Sequence, residues 1–211
     1  MGERYKDNLK LKEGWLCLDF ANTVEWRARE HPDEGFKGYS DVVTWAKKVR
    51  LLTEKEAQQL LQKAEAQLSE ATAALERAVT LREAVYRILS AVAQRASPAE
   101  ADLTFLNSVL SEALARLRVI PQANKFVWQW THRENTLDWI LWPVAQSAAN
   151  LLTSKELRRV GVCAFEGCGW LFFDTSRNQS RRWCSMRACG NVAKARRHYE
   201  KIREKNLTDA S

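Results

Sequence analysis

Four of the five cysteines stand as two evenly spaced pairs, Cys163-x4-Cys168 and Cys184-x4-Cys189, with fifteen residues between the pairs. Two loop-borne thiolate pairs can close a tetrahedral shell around one Zn²⁺, and a four-sulfur shell leaves no position open for water or substrate. The pattern therefore predicts one structural zinc per chain. Two disulfides would use the same cysteines, but nothing at the N-terminus reads as a secretory signal, and a thiol pattern inside the cell favours metal. Gly167 and Gly169 flank Cys168, and Gly190 follows Cys189, where a knuckle backbone must turn tightly to aim sulfur at the ion. Cys17 stands apart in the apolar run Trp15-Leu16-Cys17-Leu18 and reads as a small core hydrophobe.

Charge becomes informative once it is divided along the chain. Residues 155–211 hold 13 Lys and Arg against six Asp and Glu, whereas residues 1–154 hold 20 of each. The zinc-bearing quarter thus carries the entire net charge of +7. Even with two negative charges from a four-thiolate centre it stays near about +5, and a polyanion is the expected partner. The richest apolar run, residues 139–152, is broken by Pro143, Gln146, Ser147 and Asn150 and reads as a core helix. A soluble, cytoplasmic chain with no membrane partner is expected.

The fold class implied is mainly α: an N-terminal helical domain over 1–154 containing a short β-hairpin, then a small treble-clef-like zinc finger over 155–211. Thr53-Glu54-Lys55-Glu56 and Ser97-Pro98-Ala99-Glu100 each pair an N-cap hydroxyl with a Glu three residues on. Leu103, Leu106, Leu110, Leu114 and Leu117 mark one helix face. Leu75, Val79, Arg82, Tyr86, Leu89 and Val92 mark another on a long helix over about 70–95. Shorter helices are expected at 41–49 and 54–68. Residues 118–120 and 126–130 flank Pro121–Lys125 as a hairpin. A further helix runs from about 134 to 152, kinked or restarted at Pro143. Thr153-Ser154-Lys155-Glu156 is a last capping signal at the point where the charge changes. Most of the nine tryptophans are expected in the core.

Within the finger, Trp170–Phe173 reads as a strand, 174–180 as a polar turn, and the residues after Cys189 as a helix. On a helical wheel Val192, Ala195, Tyr199 and Ile202 share one side, expected to pack on the zinc hairpin. Lys194, Arg197, Lys201 and Lys205 form the opposite, basic ridge. Arg177, Arg181, Arg182, Arg187, Lys194, Arg196, Arg197 and Lys201 are the candidate nucleic-acid contacts, since Arg grips phosphate or guanine bidentately and Lys supplies charge. Arg181 or Arg182 is equally placed to neutralise the zinc–thiolate centre.

The stretch Cys163-Ala-Phe-Glu-Gly-Cys168-Gly-Trp-Leu-Phe-Phe-Asp174-Thr-Ser176-Arg177, then Arg181-Arg182-Trp183-Cys184-Ser185-Met186 and Cys189-Gly190-Asn191 with Lys194, resembles the CGNR zinc finger. In that family the finger follows a helical domain called ABATE, near whose start a Leu-Asp-Phe-x-Asn-Thr segment occurs. Leu18-Asp19-Phe20-Ala21-Asn22-Thr23 is similar to it. The resemblance implies a stress-induced bacterial transcription regulator that binds DNA through the finger. Val192 stands where the family name has Arg, which leaves that contact to Arg187 or Arg196, or unmade.

Asp19, Asn22 and Thr23 form a polar cluster beside apolar residues, suited to hydrogen-bonding buried backbone or, alternatively, to lining a ligand pocket. His31, His132 and His198 have no neighbouring relay, no Gly-rich phosphate loop occurs, and an enzyme is not expected. A DNA-binding regulator accounts for both charge and resemblance; RNA binding accounts for the charge equally, and a protein-interaction module for the zinc. A small-molecule effector or a homodimer is the expected regulatory partner, with a hinge at 152–156 letting the finger change orientation.

Overall fold

The longest helix organises the N-terminal fold. The computed structural model describes Leu11 and residues 14–208, without the side chains of Lys201 and of 204–208. Its helices are α1 (Leu16–Ala21), α2 (Tyr39–Lys48), α3 (Glu54–Ala66), α4 (Leu68–Ala93), α5 (Glu100–Arg116), α6 (Leu141–Leu152) and α7 (Asn191–Thr208). Helices α1, α2, α3, α5 and α6 all pack on α4. Ala71, Ala74, Ala78 and Ala84 bring neighbours close to it, and Leu81, Val85, Ile88 and Leu89 fill the space between. Each such fully buried aliphatic side chain contributes roughly 1.5–3 kcal/mol.

Local chemistry sets several of the helix ends. Thr53 Oγ1 accepts from the Glu56 N–H, and the Glu56 carboxylate accepts in return from the Thr53 N–H at 2.9 Å, the box expected at α3. At α2 the Asp41 carboxylate accepts from the N–H groups of Lys37 and Gly38. The second expected box is absent: α5 starts at Glu100 with Ala99 as its cap, and Ser97 and Pro98 lie in the extended link before it. Instead Arg87 on α4 binds the first-turn Asp102 through two nitrogens, at 2.5 and 2.9 Å. The buried face of α5 is Asp102, Leu106, Val109 and Ala113; Leu103, Leu110 and Leu117 of the predicted stripe pack against the core less deeply, and Leu114 is half exposed. Small side chains at 109 and 113 are what let α6 lie close.

Two further expectations are corrected. The segment predicted as one helix from 134 is two short 3₁₀ turns, Arg133–Asn135 and Asp138–Ile140, followed by α6, and Pro143 sits in the first turn of α6, where a missing N–H costs nothing. Ser154 opens no helix: α6 ends at Leu152, Ser154 Oγ accepts from the Glu156 N–H, and a single 3₁₀ turn follows at Leu157–Arg159. Of the nine tryptophans, Trp45, Trp130, Trp139 and Trp142 are buried, while Trp26 and Trp128 are exposed. Arg82 lies on the predicted apolar face of α4 and is only 2% exposed. A buried cation needs partners. Glu34 binds it at 2.5 and 2.6 Å and Glu83 at 2.9 Å. Burial would raise the Glu34 carboxyl, but the Arg82 guanidinium outweighs this and holds it below the usual carboxylate range.

Three two-stranded antiparallel sheets occur among the described residues. Strands β1 (Val24–Glu25) and β2 (Asp33–Glu34) carry Glu34 to Arg82. The predicted hairpin is β3 (Leu117–Gln122) and β4 (Lys125–Trp130), longer than expected because only Ala123 and Asn124 turn and Pro121 pairs with Phe126. The third, β5 (Val160–Val162) with β6 (Leu171–Phe173), belongs to the cysteine-rich segment, yet Val160 and Leu171 are members of the helical core. Asn22 at the end of α1 clamps β6: its Nδ2 donates to the Leu171 carbonyl at 2.8 Å and its Oδ1 accepts from the Leu171 N–H at 2.9 Å. Swinging the whole finger about the expected hinge at 152–156 would expose Leu171 and break the Asn22 clamp.

Asn22→Ala leaves a buried peptide N–H and C=O without partners, and the urea midpoint should report a loss of about 2–4 kcal/mol. Thr23 Oγ1 donates only to the local Phe20 carbonyl, so Thr23→Ala should cost under about 1 kcal/mol in the same measurement.

Candidate metal centre and nucleic-acid interface

The four cysteine sulfurs converge from two loops. All four lie within 4.8 Å of one another, and the Cys184 Sγ is 3.7 Å from the Sγ atoms of both Cys168 and Cys189. A tetrahedral shell with Zn–S bonds of about 2.3 Å spaces its sulfurs by about 3.8 Å, so the donor set fits zinc. Disulfides would need sulfurs at about 2.0 Å, and all five cysteines are free. The four ligands are buried with Phe172, against Phe165, Trp170 and Trp183, in a small cluster separate from the main core. Cys163 is the preferred thiolate, held well below the usual thiol range because Cys168 and Cys184 donate to it. Donating to that thiolate pushes Cys168 and Cys184 up, and burial pushes Cys189 up to about 12. Four thiolates this close need a cation among them, and its entry drives off protons.

The first knuckle is gripped by the helical part. Gly167 and Gly169 have φ of +79° and +67°, and a Cβ at either would press on residues 27–29, at 2.9 Å from the Arg29 side chain and 3.2 Å from Ala28. The close approach permits backbone bonds from Arg27 N to Cys168 O and from Ala28 N to Gly167 O, at 3.1 and 3.2 Å. The Trp170 indole donates to Val24 O at 2.8 Å, and the Tyr86 hydroxyl donates to Gly169 O at 2.9 Å. Arg27 also pairs with Glu83 on α4 at 2.7 Å and stacks 4.0 Å from the Tyr86 ring. Arg27 and Tyr86 thus serve the metal centre although no motif in the sequence marks them.

Arg181 and Asp174 hold the second knuckle. Arg181 donates from Nε to Trp183 O and from Nη1 to Phe173 O, at 2.9 and 2.8 Å, and from Nη2 to Cys184 O. Its guanidinium is thus committed to backbone beside the sulfurs, and of the two arginines considered it is the one at the zinc centre. The buried Asp174 carboxylate accepts from the N–H groups of Ser176 and Arg181 at 2.8 and 2.9 Å, shaping the predicted turn on which Arg177 stands exposed. Burial would raise Asp174, but these bonds hold it below its ordinary value.

Arg177, Arg182, Arg187, Lys194 and Arg197 are exposed and make no ion pair among the described residues. Arg196 differs, pairing with Glu166 on the first knuckle and with Glu200 at 3.1 Å. The Lys201 side chain lies outside the described residues. The expected packing of α7 is corrected: Val192, Tyr199 and Ile202 are exposed, Tyr199 by 70%. Leu171 is already spent on the helical core and Phe172 on the sulfur cluster, so the hairpin has no apolar face left for α7. A turn of π-helix over Met186–Gly190, capped by Ser185 Oγ accepting from the Ala188 N–H, carries Cys189 and leads α7 outward.

Asp19, Asn22 and Thr23 do come together, on the wall of an open cleft of about 960 Å³ that Phe36, Trp45 and Trp170 also line. Asn22 and Thr23 each make structural hydrogen bonds as well, so both readings of this cluster meet at one place.

The fold and the sulfur shell define a helical protein with a docked structural zinc finger. The ABATE family model, described as a putative stress-induced transcription regulator, matches residues 14–155, and the CGNR zinc finger model matches residues 159–201. The chain belongs to the ABATE family and carries the CGNR zinc finger, the families its two motifs resemble. No curated protein matches the chain. Among the described residues no helix is long and apolar enough to cross a membrane.

Elemental analysis should find one zinc per chain, retained by Cys17→Ala and lost by Cys184→Ser. Structural zinc supplies on the order of 10 kcal/mol to folding. Because the finger hairpin shares the helical core, chelation should lower the melting temperature of the whole chain in one calorimetric transition. Protons compete for the thiolates, so zinc affinity should fall as pH falls, which a chromophoric chelator would follow.

Proposed function

We propose that the protein is a zinc-dependent, duplex DNA-binding transcription regulator of the cytoplasm, acting by binding and not by catalysis, and responsive to stress. The observation that carries this is the set of exposed cations that make no ion pair among the described residues, Arg177, Arg182, Arg187, Lys194 and Arg197, on the one segment with net positive charge. Arg181 serves as scaffold in this reading, and Arg196 tethers α7 to the first knuckle. The two sequence parts, 1–154 and 155–211, divide the work between sensing and binding while sharing a core. Zinc shapes the contact surface because Cys184 and Cys189 bracket Arg187 and lead directly into α7.

Binding to duplex should weaken steeply with salt, and each phosphate contact removed should lower the logarithmic salt slope by about 0.9. Lys194→Glu with Arg197→Glu should weaken all duplex sequences alike, whereas Arg177→Ala or Arg182→Ala should relax sequence preference where those arginines read bases. Fluorescence anisotropy against duplex DNA, duplex RNA and single strands tests this; preference for RNA would replace DNA as the partner.

The effector, in the same reading, occupies the cleft beside Asp19. Asn22 and Trp170 line that cleft and also hold the finger, Asn22 by gripping Leu171 and Trp170 by its bond to Val24. A ligand there bears on the finger through contacts already made, with no swinging hinge. A ligand found by thermal shift should change DNA affinity by about 5- to 150-fold; an unchanged affinity would leave dimerisation as the role of the helical part.

A further inference from the structure

Four charged side chains form an unbroken line from the cleft to the first knuckle. Glu34, on the cleft wall, binds Arg82 Nη1 and Nη2 at 2.5 and 2.6 Å. Arg82 Nε donates to Glu83 Oε1 at 2.9 Å, and Glu83 accepts in turn from Arg27 Nη1 and Nη2 at 2.7 and 3.1 Å. Arg27 ends the line at the metal centre. Its peptide N–H and that of Ala28 donate to Cys168 O and Gly167 O, and its guanidinium stacks on Tyr86, whose hydroxyl donates to Gly169 O. Two cations and two anions balance along the line, and both guanidinium side chains are buried.

We propose that this line positions the first zinc knuckle, so that the charge of Glu34 sets how tightly the four cysteines hold the metal. Neutralising Glu34 leaves Arg82 and Arg27 competing for the one carboxylate of Glu83. Arg82 prevails, because it has no third carboxylate partner among the described residues and an unpaired buried cation is costly. Arg27 has somewhere else to turn, since its Nη2 also donates to Ala21 O at 3.0 Å. Glu83 therefore shifts toward Arg82, and Arg27 loses the two-nitrogen grip that fixes residues 27 and 28 against Gly167 and Cys168.

The second knuckle lies off this line, held by Arg181 and Asp174 from within the finger. The loosening is thus local to the first knuckle. Where an effector occupies the cleft, as proposed above, contact with Glu34 reaches the metal by this route. The positioning role itself rests on neither ligand nor nucleic acid, so its failure would leave the proposed function standing.

Zinc competition against a chromophoric chelator, on the full chain, tests the proposal. Glu34→Gln should weaken zinc binding by about 3- to 30-fold, the range of coupling that side-chain networks carry. Glu83→Gln severs the line, and Glu34→Gln added to it should change zinc affinity by less than about 2-fold further. Asp102→Asn, which breaks the pair with Arg87 and touches no member of the line, should leave zinc affinity unchanged. Hydrogen exchange on the zinc-loaded chain should quicken at the amides of 167–169 in Glu34→Gln, with those of 188–190 unmoved. Should Glu34→Gln not fold, Arg27→Lys keeps the charge but lacks the planar fork that holds Glu83, and it should weaken zinc similarly. Unchanged zinc affinity in whichever of these two variants is read overturns the proposal. So does an equal loss in Asp102→Asn, an undiminished effect of Glu34→Gln beside Glu83→Gln, or faster exchange at both knuckles alike.

Discussion

Leu171 is fixed from three sides, and the relation between the two sequence modules follows from it. Its side chain is fully buried in the helical core, its peptide N–H and C=O are both taken by the Asn22 amide, and it lies three residues after the zinc ligand Cys168. Any rigid movement of the metal centre must break a buried pair of hydrogen bonds and expose a leucine, which costs several kcal/mol before other contacts are counted. The Leu-Asp-Phe-x-Asn-Thr segment supplies this clamp through Asn22, the residue that caps the first helix.

Docking explains how so small a metal module holds its shape. The sulfur cluster buries four cysteines and Phe172 with three partly covered aromatic rings, too little apolar surface for an independent core. Zinc supplies part of the deficit, and the helical part supplies the remainder through Arg27, Tyr86, Val24 and Asn22. Arg181 and Asp174 complete the second knuckle from inside the finger. The division among the arginines follows: those whose guanidinium finds backbone or carboxylate nearby are spent on structure, and the remainder form the outward surface.

Several features governed by short-range chemistry were legible in the sequence, although the capping signals at Ser97 and Ser154 opened no α-helix there. The thiolate spacing announced the metal centre, the Thr53 box announced the start of α3, and the Asp174–Ser180 turn and the β3–β4 hairpin fell where their residues demanded. Features decided by what happens to lie opposite were not. Arg82 stood on a predicted apolar face, but nothing in the sequence marked what would neutralise it there, because its partner Glu34 arrives from 48 residues away. Arg27 and Tyr86 likewise reach the first knuckle only through the fold. On α5 the stripe Leu103, Leu106, Leu110 and Leu117 does face the core, but Leu114 is half exposed and the deepest positions beside Leu106 are the smaller Val109 and Ala113. The apolar side of α7 pointed to packing on a hairpin whose own apolar residues were already taken.

That exposure makes α7 energetically unusual. Helices owe most of their stability to tertiary packing, and α7 has little: one end is secured by the turn that carries Cys189, and Arg196 ties it to Glu166. Along it Lys194 and Arg197 lie one turn apart with like charge, and Glu200 is already engaged by Arg196. Repulsion of this kind weakens a helix, and neutralising the cations removes the repulsion. Under the proposed reading phosphates would therefore do more than attract α7: they would also remove the repulsion between Lys194 and Arg197. In that reading the metal sets where the helix begins and a bound polyanion would set how firmly it is formed.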